Sequence, residues 1–346
     1  LYMSLLRSLS KHRDIISGQA LNNLRVNGYS IIDNVFGEDV GVNLRSEINT
    51  MMQKQKMHLN STQFVNSANI ISYLQKKHIW ELSSEEIRDG IFDPSTKTLN
   101  RIFQESKIEL PSIFHQFSVS DITLKLQFNS GNGGCFPFHF DTAPKVDTRK
   151  ITAIYYMNNE WSKGDGGELV LNTFPYSPDE IVNPLFDRLV LFSSSELLHR
   201  VLPSNKPRYC LTFWMYSDPN HISEKKNSTS SSSSSNSSSV VQAPFKLCDS
   251  IGDDRTGDSK EEEVAMRLLL SSSNRRHFNR LALSNEWKAS ILESHNEDDC
   301  VNAIIIHDKE VAIIEASFSN FLKGLGFKGD AACPRTLISK YVPIDR

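Results

Sequence analysis

The strongest constraint on the fold is a run of short β-type segments between Ile122 and Tyr216. They lie at Ile122–Phe128, Ile151–Met157, Gly167–Leu171, Arg188–Phe192 and Tyr209–Tyr216. Turn-forming stretches separate them: Gly131-Asn-Gly-Gly134, Gly164-Asp-Gly-Gly167 and Pro203-Ser-Asn-Lys-Pro207. Short strands punctuated in this way pair antiparallel and close into a sandwich or jelly roll. Upstream, Asp14 to Asn27 and Glu38 to Lys54 have helical character, the latter with apolar residues at Val40, Val42, Leu44, Ile48 and Met51. Between them, Tyr29-Ser-Ile-Ile-Asp33 reads as a strand following Gly28.

A second feature divides the chain. From Ser228 to Ser239, ten of twelve residues are serine. Such a tract has no apolar anchor to offset the entropy of ordering, so a flexible linker is expected. The expected organisation is a mainly β domain with flanking helices over residues 1–220 (core 122–218), a linker over 221–243, and a small α+β accessory domain over 244–346. In the last of these, helices are expected from Asp258 and over Asn279 to Glu293, and a hairpin at Val301–Ile306 and Glu310–Ile314 around His307-Asp-Lys. The 38 basic and 41 acidic residues leave a net charge of −3; residues 1–243 carry 24 of each sign, so the excess of 17 acids over 14 bases lies after residue 243. This balance offers no basic groove for nucleic acid. No apolar run is long enough to span a membrane. Five dispersed cysteines and the lack of a signal-peptide core in Leu1 to Asp14 lead to the expectation of a cytoplasmic or nuclear protein with reduced thiols.

The chemistry concentrates in Phe136-Pro-Phe-His-Phe-Asp141. On an extended strand, His139 and Asp141 point to the same side, and Phe138 and Phe140 to the other. An imidazole and a carboxylate on one face offer two metal ligands. His199, beyond the β run at Arg188–Phe192, is the candidate third. Two histidines and one carboxylate suit non-haem Fe(II), but Zn²⁺ accepts the same set. Arg208 follows His199 by nine residues, and the intervening turn can bring it back beside the metal. A buried arginine can hold one end of a dicarboxylate such as 2-oxoglutarate in a bidentate pair. A lone His-x-Asp is commonly a surface pair, and a lone arginine a surface charge. The ordered series within one β-rich block is a more specific signal.

These residues resemble the prolyl 4-hydroxylase branch of the Fe(II)/2-oxoglutarate dioxygenases, in particular the hypoxia-sensing prolyl hydroxylases and their plant and algal relatives. The likeness runs from about Ile122 to Asp218. It includes Gly131-Asn-Gly, His139-Phe-Asp141, Ile151-Thr-Ala-Ile-Tyr-Tyr-Met-Asn158, Trp161, Gly166-Gly-Glu-Leu169, Phe186-Asp-Arg-Leu-Val-Leu-Phe192, His199-Arg-Val201 and Arg208-Tyr-Cys-Leu-Thr-Phe-Trp214. The resemblance implies a double-stranded β-helix with iron ligands His139, Asp141 and His199. It implies that Arg208 and Tyr156 hold the distal carboxylate of 2-oxoglutarate, and that Leu169, Val201 and Trp214 line the pocket. Two positions depart from the family pattern: Phe136 stands where a tyrosine precedes the first iron histidine, and Asn129 or Phe128 where another pocket tyrosine falls.

The expectation is therefore an oxidoreductase that uses Fe(II), 2-oxoglutarate and dioxygen, with ascorbate as reductant, to hydroxylate a C–H bond and release succinate and CO₂. A prolyl residue of a protein or peptide is the expected substrate. The alternatives are another side chain or a small molecule, or a jelly-roll binding module without catalysis.

Overall fold

The computed structural model describes residues 16–65, 71–83, 86, 95–142, 147–174, 178–218, 260–269 and 271–341. The serine tract and the rest of 221–243 lie outside these residues. Helix α1 (Gly18–Asn27) leads into strand β1 (Tyr29–Asp33) and helix α2 (Glu38–Gln53). A hairpin of β2 (His58–Val65) and β3 (Ile71–Ser83) and helix α3 (Lys97–Ile113) come next. The β block follows as β4 (Val119–Asn129), β5 (Gly134–His139), β6 (Arg149–Tyr156), β7 (Leu169–Asn172), β8 (Glu180–Val182), β9 (Arg188–Ser193), β10 (Leu198–Ser204) and β11 (Arg208–Ser217).

These strands form two antiparallel sheets, a seven-stranded one in the order β1-β9-β6-β11-β4-β3-β2 and a four-stranded one in the order β5-β10-β7-β8. Alternation along the strands of the larger sheet separates two apolar layers. Ile151, Ala153, Tyr155, Leu189, Leu191, Leu211, Phe213 and Met215 face the core beneath α1, α2 and α3. Ile154, Tyr156, Val190, Phe192 and Cys210 face the other way and pack on Leu169, Leu171, Val182 and Val201 of the smaller sheet. Two sheets face to face over one apolar layer, with helices on the outer side of the larger sheet, make the expected jelly roll with flanking helices.

The C-terminal segment departs from the α+β expectation. Its described residues form α4 (Lys260–Leu269), α5 (Ser272–Ala282), α6 (Ser284–Ser294), α7 (Glu297–Gly324) and α8 (Pro334–Tyr341). The hairpin expected at Val301–Ile306 and Glu310–Ile314 is the middle of α7. Its β-branched run suggested strands, but Cys300, Ala303, His307, Val311, Phe318 and Leu322 are buried at spacings of three, four and seven, which is a helical face. Val301, Ile305 and Ile313 are exposed on the opposite face. The helix expected over Asn279 to Glu293 is two helices, broken at Leu283.

This helical segment packs on the jelly roll. Leu283, Trp287, Ile291, Cys300 and Ala303 share one apolar cluster with Leu74 of β3, Phe138 of β5 and Leu198 of β10.

Candidate metal centre and active-site cleft

Register in the smaller sheet brings two of the candidate ligands together. Strands β5 and β10 pair antiparallel with His199 opposite His139, and the two imidazole centroids are 4.2 Å apart. The Nδ1–H of His139 donates to the Pro137 carbonyl at 2.8 Å. The Nδ1–H of His199 donates to the Leu197 carbonyl at 3.1 Å. Each carbonyl keeps the proton on Nδ1 and leaves the Nε2 lone pair for a metal. Both Nε2 atoms turn to the same oxygen, Asp141 Oδ1, at 3.5 Å from His139 and 3.6 Å from His199. One atom from each of the three residues can be chosen so that all lie within 4.8 Å of one another. Three donors facing a common point, with both imidazoles in the metal-binding tautomer, fit a divalent cation.

The second carboxylate oxygen is already engaged. Asp141 Oδ2 accepts a hydrogen bond from Thr152 Oγ1, and Thr152 Oγ1 is also within 2.8 Å of Ser194 Oγ. Burial opposes charge on Asp141, but His199 and His139 more than offset it, so its pKa lies well below the usual carboxylate value. Burial, followed by the neighbouring His199, lowers the pKa of His139. Both shifts favour the deprotonated forms that bind metal.

Arg208 opens β11 and is 4% exposed. Its Nε–H donates to the Gly167 carbonyl at 2.9 Å and Nη2–H to the Tyr156 hydroxyl at 3.2 Å. Nη1–H points to Cys210 Sγ at 3.5 Å. These are neutral partners, and no carboxylate among the described residues forms an ion pair with this guanidinium. A buried cation on neutral partners suits a ligand carboxylate. Burial pushes the Tyr156 phenol up to about 12, so it stays neutral and can donate. The glycine pair before β7 makes room for the arginine. Gly167 has φ +79°, and a Cβ there would lie 2.9 Å from Arg208 Cδ. At Gly166, φ +74°, a Cβ would lie 2.0 Å from the Pro203 carbonyl oxygen.

His139, Asp141, His199, Thr152 and Arg208 border one cleft of about 560 Å³, within the range of small-ligand sites. Arg208, Cys210, Thr212 and Trp214, alternate residues of β11, form part of its floor. Of the residues singled out in the sequence, His139, Asp141, His199, Leu169, Val201, Arg208 and Trp214 line it, and so do Phe138 and Phe140, which strand alternation alone would set on the opposite side. Tyr156 stands behind Arg208, held by the hydrogen bond above. Phe138 is buried against Trp287 with ring centroids 6.3 Å apart, and Phe140 meets the same indole at 6.3 Å with the rings tilted by 49°.

The two departures from the family pattern differ in kind. Asn129 is buried and holds the turn that follows β4. Its Nδ2–H donates to the Gly134 carbonyl at 2.8 Å, and its Oδ1 accepts the Gly131 N–H at 3.0 Å. Phe136 does line the cleft, with its ring 6.2 Å from that of His139 and the Lys76 ammonium 5.0 Å from its centroid.

The structure adds lining residues that sequence reading did not select. Thr152 shares a strand face with Ile154 and Tyr156, so period-two alternation could have found it. Lys125 and Arg149 place their cations 4.8 Å and 4.1 Å from the Trp214 ring centroid. Arg280, Trp287 and Ile291 come from the C-terminal helices, where no sequence signal pointed to a site.

Residues 124–216 match the family model of the 2OG-Fe(II) oxygenase superfamily. Within it, the chain is similar to prolyl hydroxylases. It is 40% identical over 100 residues to prolyl hydroxylase EGLN3 of Mus musculus, covering 28% of this chain and 41% of that protein. It is 38% identical over 90 residues to Egl nine homolog 1 of Homo sapiens, covering 25% and 20% of the two chains. The chain thus spans under half the length of the curated relatives it matches. A crystal structure described as prolyl 4-hydroxylases from Phytophthora capsici superposes with a TM-score of 0.64 at 26% identity, covering 94% of this chain and 95% of that one. No helix among the described residues is long and apolar enough to cross a membrane.

Proposed function

We propose that this protein is an Fe(II)- and 2-oxoglutarate-dependent dioxygenase that hydroxylates a prolyl residue of a protein or peptide. The observation that carries the reading is the convergence of His139 Nε2, His199 Nε2 and Asp141 Oδ1 in the cleft that also holds buried Arg208. The 40% identity to a prolyl hydroxylase across the same segment supports the substrate class.

His139, Asp141 and His199 would hold the iron, which together with 2-oxoglutarate and dioxygen supplies the oxidising power for C–H hydroxylation, with succinate and CO₂ as coproducts. The chain's own work is binding and placement. Arg208 binds the distal carboxylate of 2-oxoglutarate through its guanidinium, and the neutral Tyr156 hydroxyl donates to the same group. Thr152 holds Asp141 so that only Oδ1 faces the metal position. Leu169, Val201 and Trp214 border the pocket and exclude water from the reacting groups. The proposal includes ascorbate as the reductant that restores Fe(II), and a reducing cytoplasmic or nuclear setting. The thiols of Cys135, Cys210 and Cys333, free among the described residues, support that setting. It assigns the cleft to a peptide rather than a nucleic acid, in keeping with equal acid and base counts before residue 244.

Succinate formation by the purified chain, supplied with Fe(II) and 2-oxoglutarate, tests the enzyme class. Mass spectrometry of proline-containing peptides for the gain of one oxygen atom tests the substrate. Asp141→Ala should abolish metal-dependent succinate formation. Unchanged turnover of that variant in metal-defined buffer would overturn the ligand assignment, and succinate release without any peptide hydroxylation would overturn the prolyl reading.

A further inference from the structure

The C-terminal helices touch three residues that neighbour the candidate ligands, two through the backbone and one through a side-chain ion pair. Phe138 precedes His139. Its N–H, on edge strand β5, donates to Ser290 Oγ of α6 at 3.0 Å. The Ser290 hydroxyl in turn donates to the Trp287 carbonyl at 2.6 Å, which leaves its lone pairs to accept from Phe138. Thr142 follows Asp141. Its carbonyl accepts from Arg276 Nη1 of α5 at 2.5 Å, and the same nitrogen donates to the Ser195 carbonyl at 2.8 Å. Arg276 thereby joins the loop after Asp141 to the turn before His199. Arg200 follows His199, and its guanidinium pairs with Glu293 of α6 at 2.6 Å while lying 5.2 Å from the Phe138 ring centroid.

The physical demand behind these contacts is the edge position of β5. One side of the strand pairs with β10, and the other side needs a partner for its buried amides. Helix α6 covers it. Ser290 is fully buried, so its bond to Phe138 is shielded from competing water. The indole of Trp287 meets both Phe138 and Phe140, the two rings that bracket His139 in sequence. The Arg276 guanidinium sits 4.1 Å from the Phe140 ring centroid.

We propose that helices α5 and α6 brace the metal centre, with Ser290, Arg276 and Glu293 as positioning residues that hold the residues flanking His139, Asp141 and His199. This rests on the reading that the triad binds a divalent metal. The segment after residue 243 is then part of the active site rather than a separable recruiting module. Ligands held by outer partners bind metal more tightly because less ordering remains to be done on binding, and loss of such a partner typically costs ~10–100-fold in metal affinity.

The test uses the full chain with Mn(II) alone as probe, titrated in the absence of 2-oxoglutarate and followed by the EPR signal of free Mn(II). Ser290→Ala removes one oxygen and leaves the Trp287 packing in place. Arg276→Met removes the donors and keeps much of the bulk. Each should raise the Mn(II) dissociation constant about tenfold, with apo melting recorded in parallel to show that the variants are folded. Arg276→Lys should recover part of the loss. Lys288→Ala, also on α6 but in an exposed pair with Asp308, should leave Mn(II) affinity at the parent value. Folded Ser290→Ala and Arg276→Met variants that bind Mn(II) within twofold of the parent would overturn the brace and leave the triad reading intact. A parent chain that binds no Mn(II) would overturn both.

Discussion

On the proposed function, replacing Arg208 by alanine should separate cosubstrate binding from metal binding. The guanidinium is 4% exposed and its described partners are the Gly167 carbonyl, the Tyr156 hydroxyl and the Cys210 thiol. A carboxylate docking there gains charge-assisted hydrogen bonds in a site largely closed to water. Truncating one partner of such a buried charged pair costs about 2–5 kcal/mol. Taking about 3 kcal/mol, at about 1.4 kcal/mol per factor of ten, the apparent KM for 2-oxoglutarate should rise on the order of a hundredfold. Arg208→Lys keeps the charge but loses the planar fork and the Gly167 bond, so a smaller rise, roughly tenfold, is expected. The assay is succinate formation against 2-oxoglutarate concentration, with Mn(II) affinity measured separately. Arg208 contributes no ligand atom, so metal affinity should stay within a few-fold of the parent. A folded Arg208→Ala protein with parental 2-oxoglutarate KM would refute the reasoning, and so would a variant whose only defect was in metal binding.

Three further outcomes are expected. Thr152→Val removes the hydroxyl that engages Asp141 Oδ2 and should weaken Mn(II) binding about tenfold; an unchanged titration would show that Asp141 needs no such partner. Gly167→Ala puts a methyl 2.9 Å from Arg208 Cδ at a φ of +79°. It should cost at least about 1–2 kcal/mol of stability, seen as a lower melting temperature, and raise the 2-oxoglutarate KM. Burial, with the positive charge of Lys76 adding to it, pulls His295 down from 6.5 to about 4. The folded pKa is depressed, so the unfolded chain takes up the proton first, and stability present above pH 6.5 is lost as pH falls towards 4. At about 1.4 kcal/mol per unit the loss is on the order of 3 kcal/mol. Urea unfolding at pH 7 and pH 4.5 should show this, and His295→Gln should flatten that part of the profile.

Much of the β block was legible because its signals are local. Tyr29–Asp33 occupies the residues expected of it, and the runs at Ile122, Ile151, Arg188 and Tyr209 match strands within three residues at each end. Strand β10 was missed. Leu198–Ser204 contains Pro203 and lacks strict alternation, so it reads as part of a turn, although it carries His199. The C-terminal error has a related cause: β-branched residues at Val301 and Ile304–Ile306 carry strand propensity, while the burial of α7 follows a helical period that emerges only once its neighbours are in place.

The sequence by itself determined the donor types and their nearness in the chain. His139 and Asp141 are two residues apart, a spacing that turns both to one side of extended chain, although β5 ends at His139 and Asp141 lies in the bend beyond it. The same period sets Arg208 in line with Cys210, Thr212 and Trp214. Only the tertiary structure decided that His199 lies opposite His139, because strand register depends on the packing of whole faces rather than on any short motif. It alone revealed Ser290 against Phe138, residues 152 apart in the chain. A contact at that separation leaves no periodic trace in the sequence; it forms because a buried edge-strand amide requires an acceptor, and a distant helix supplies it.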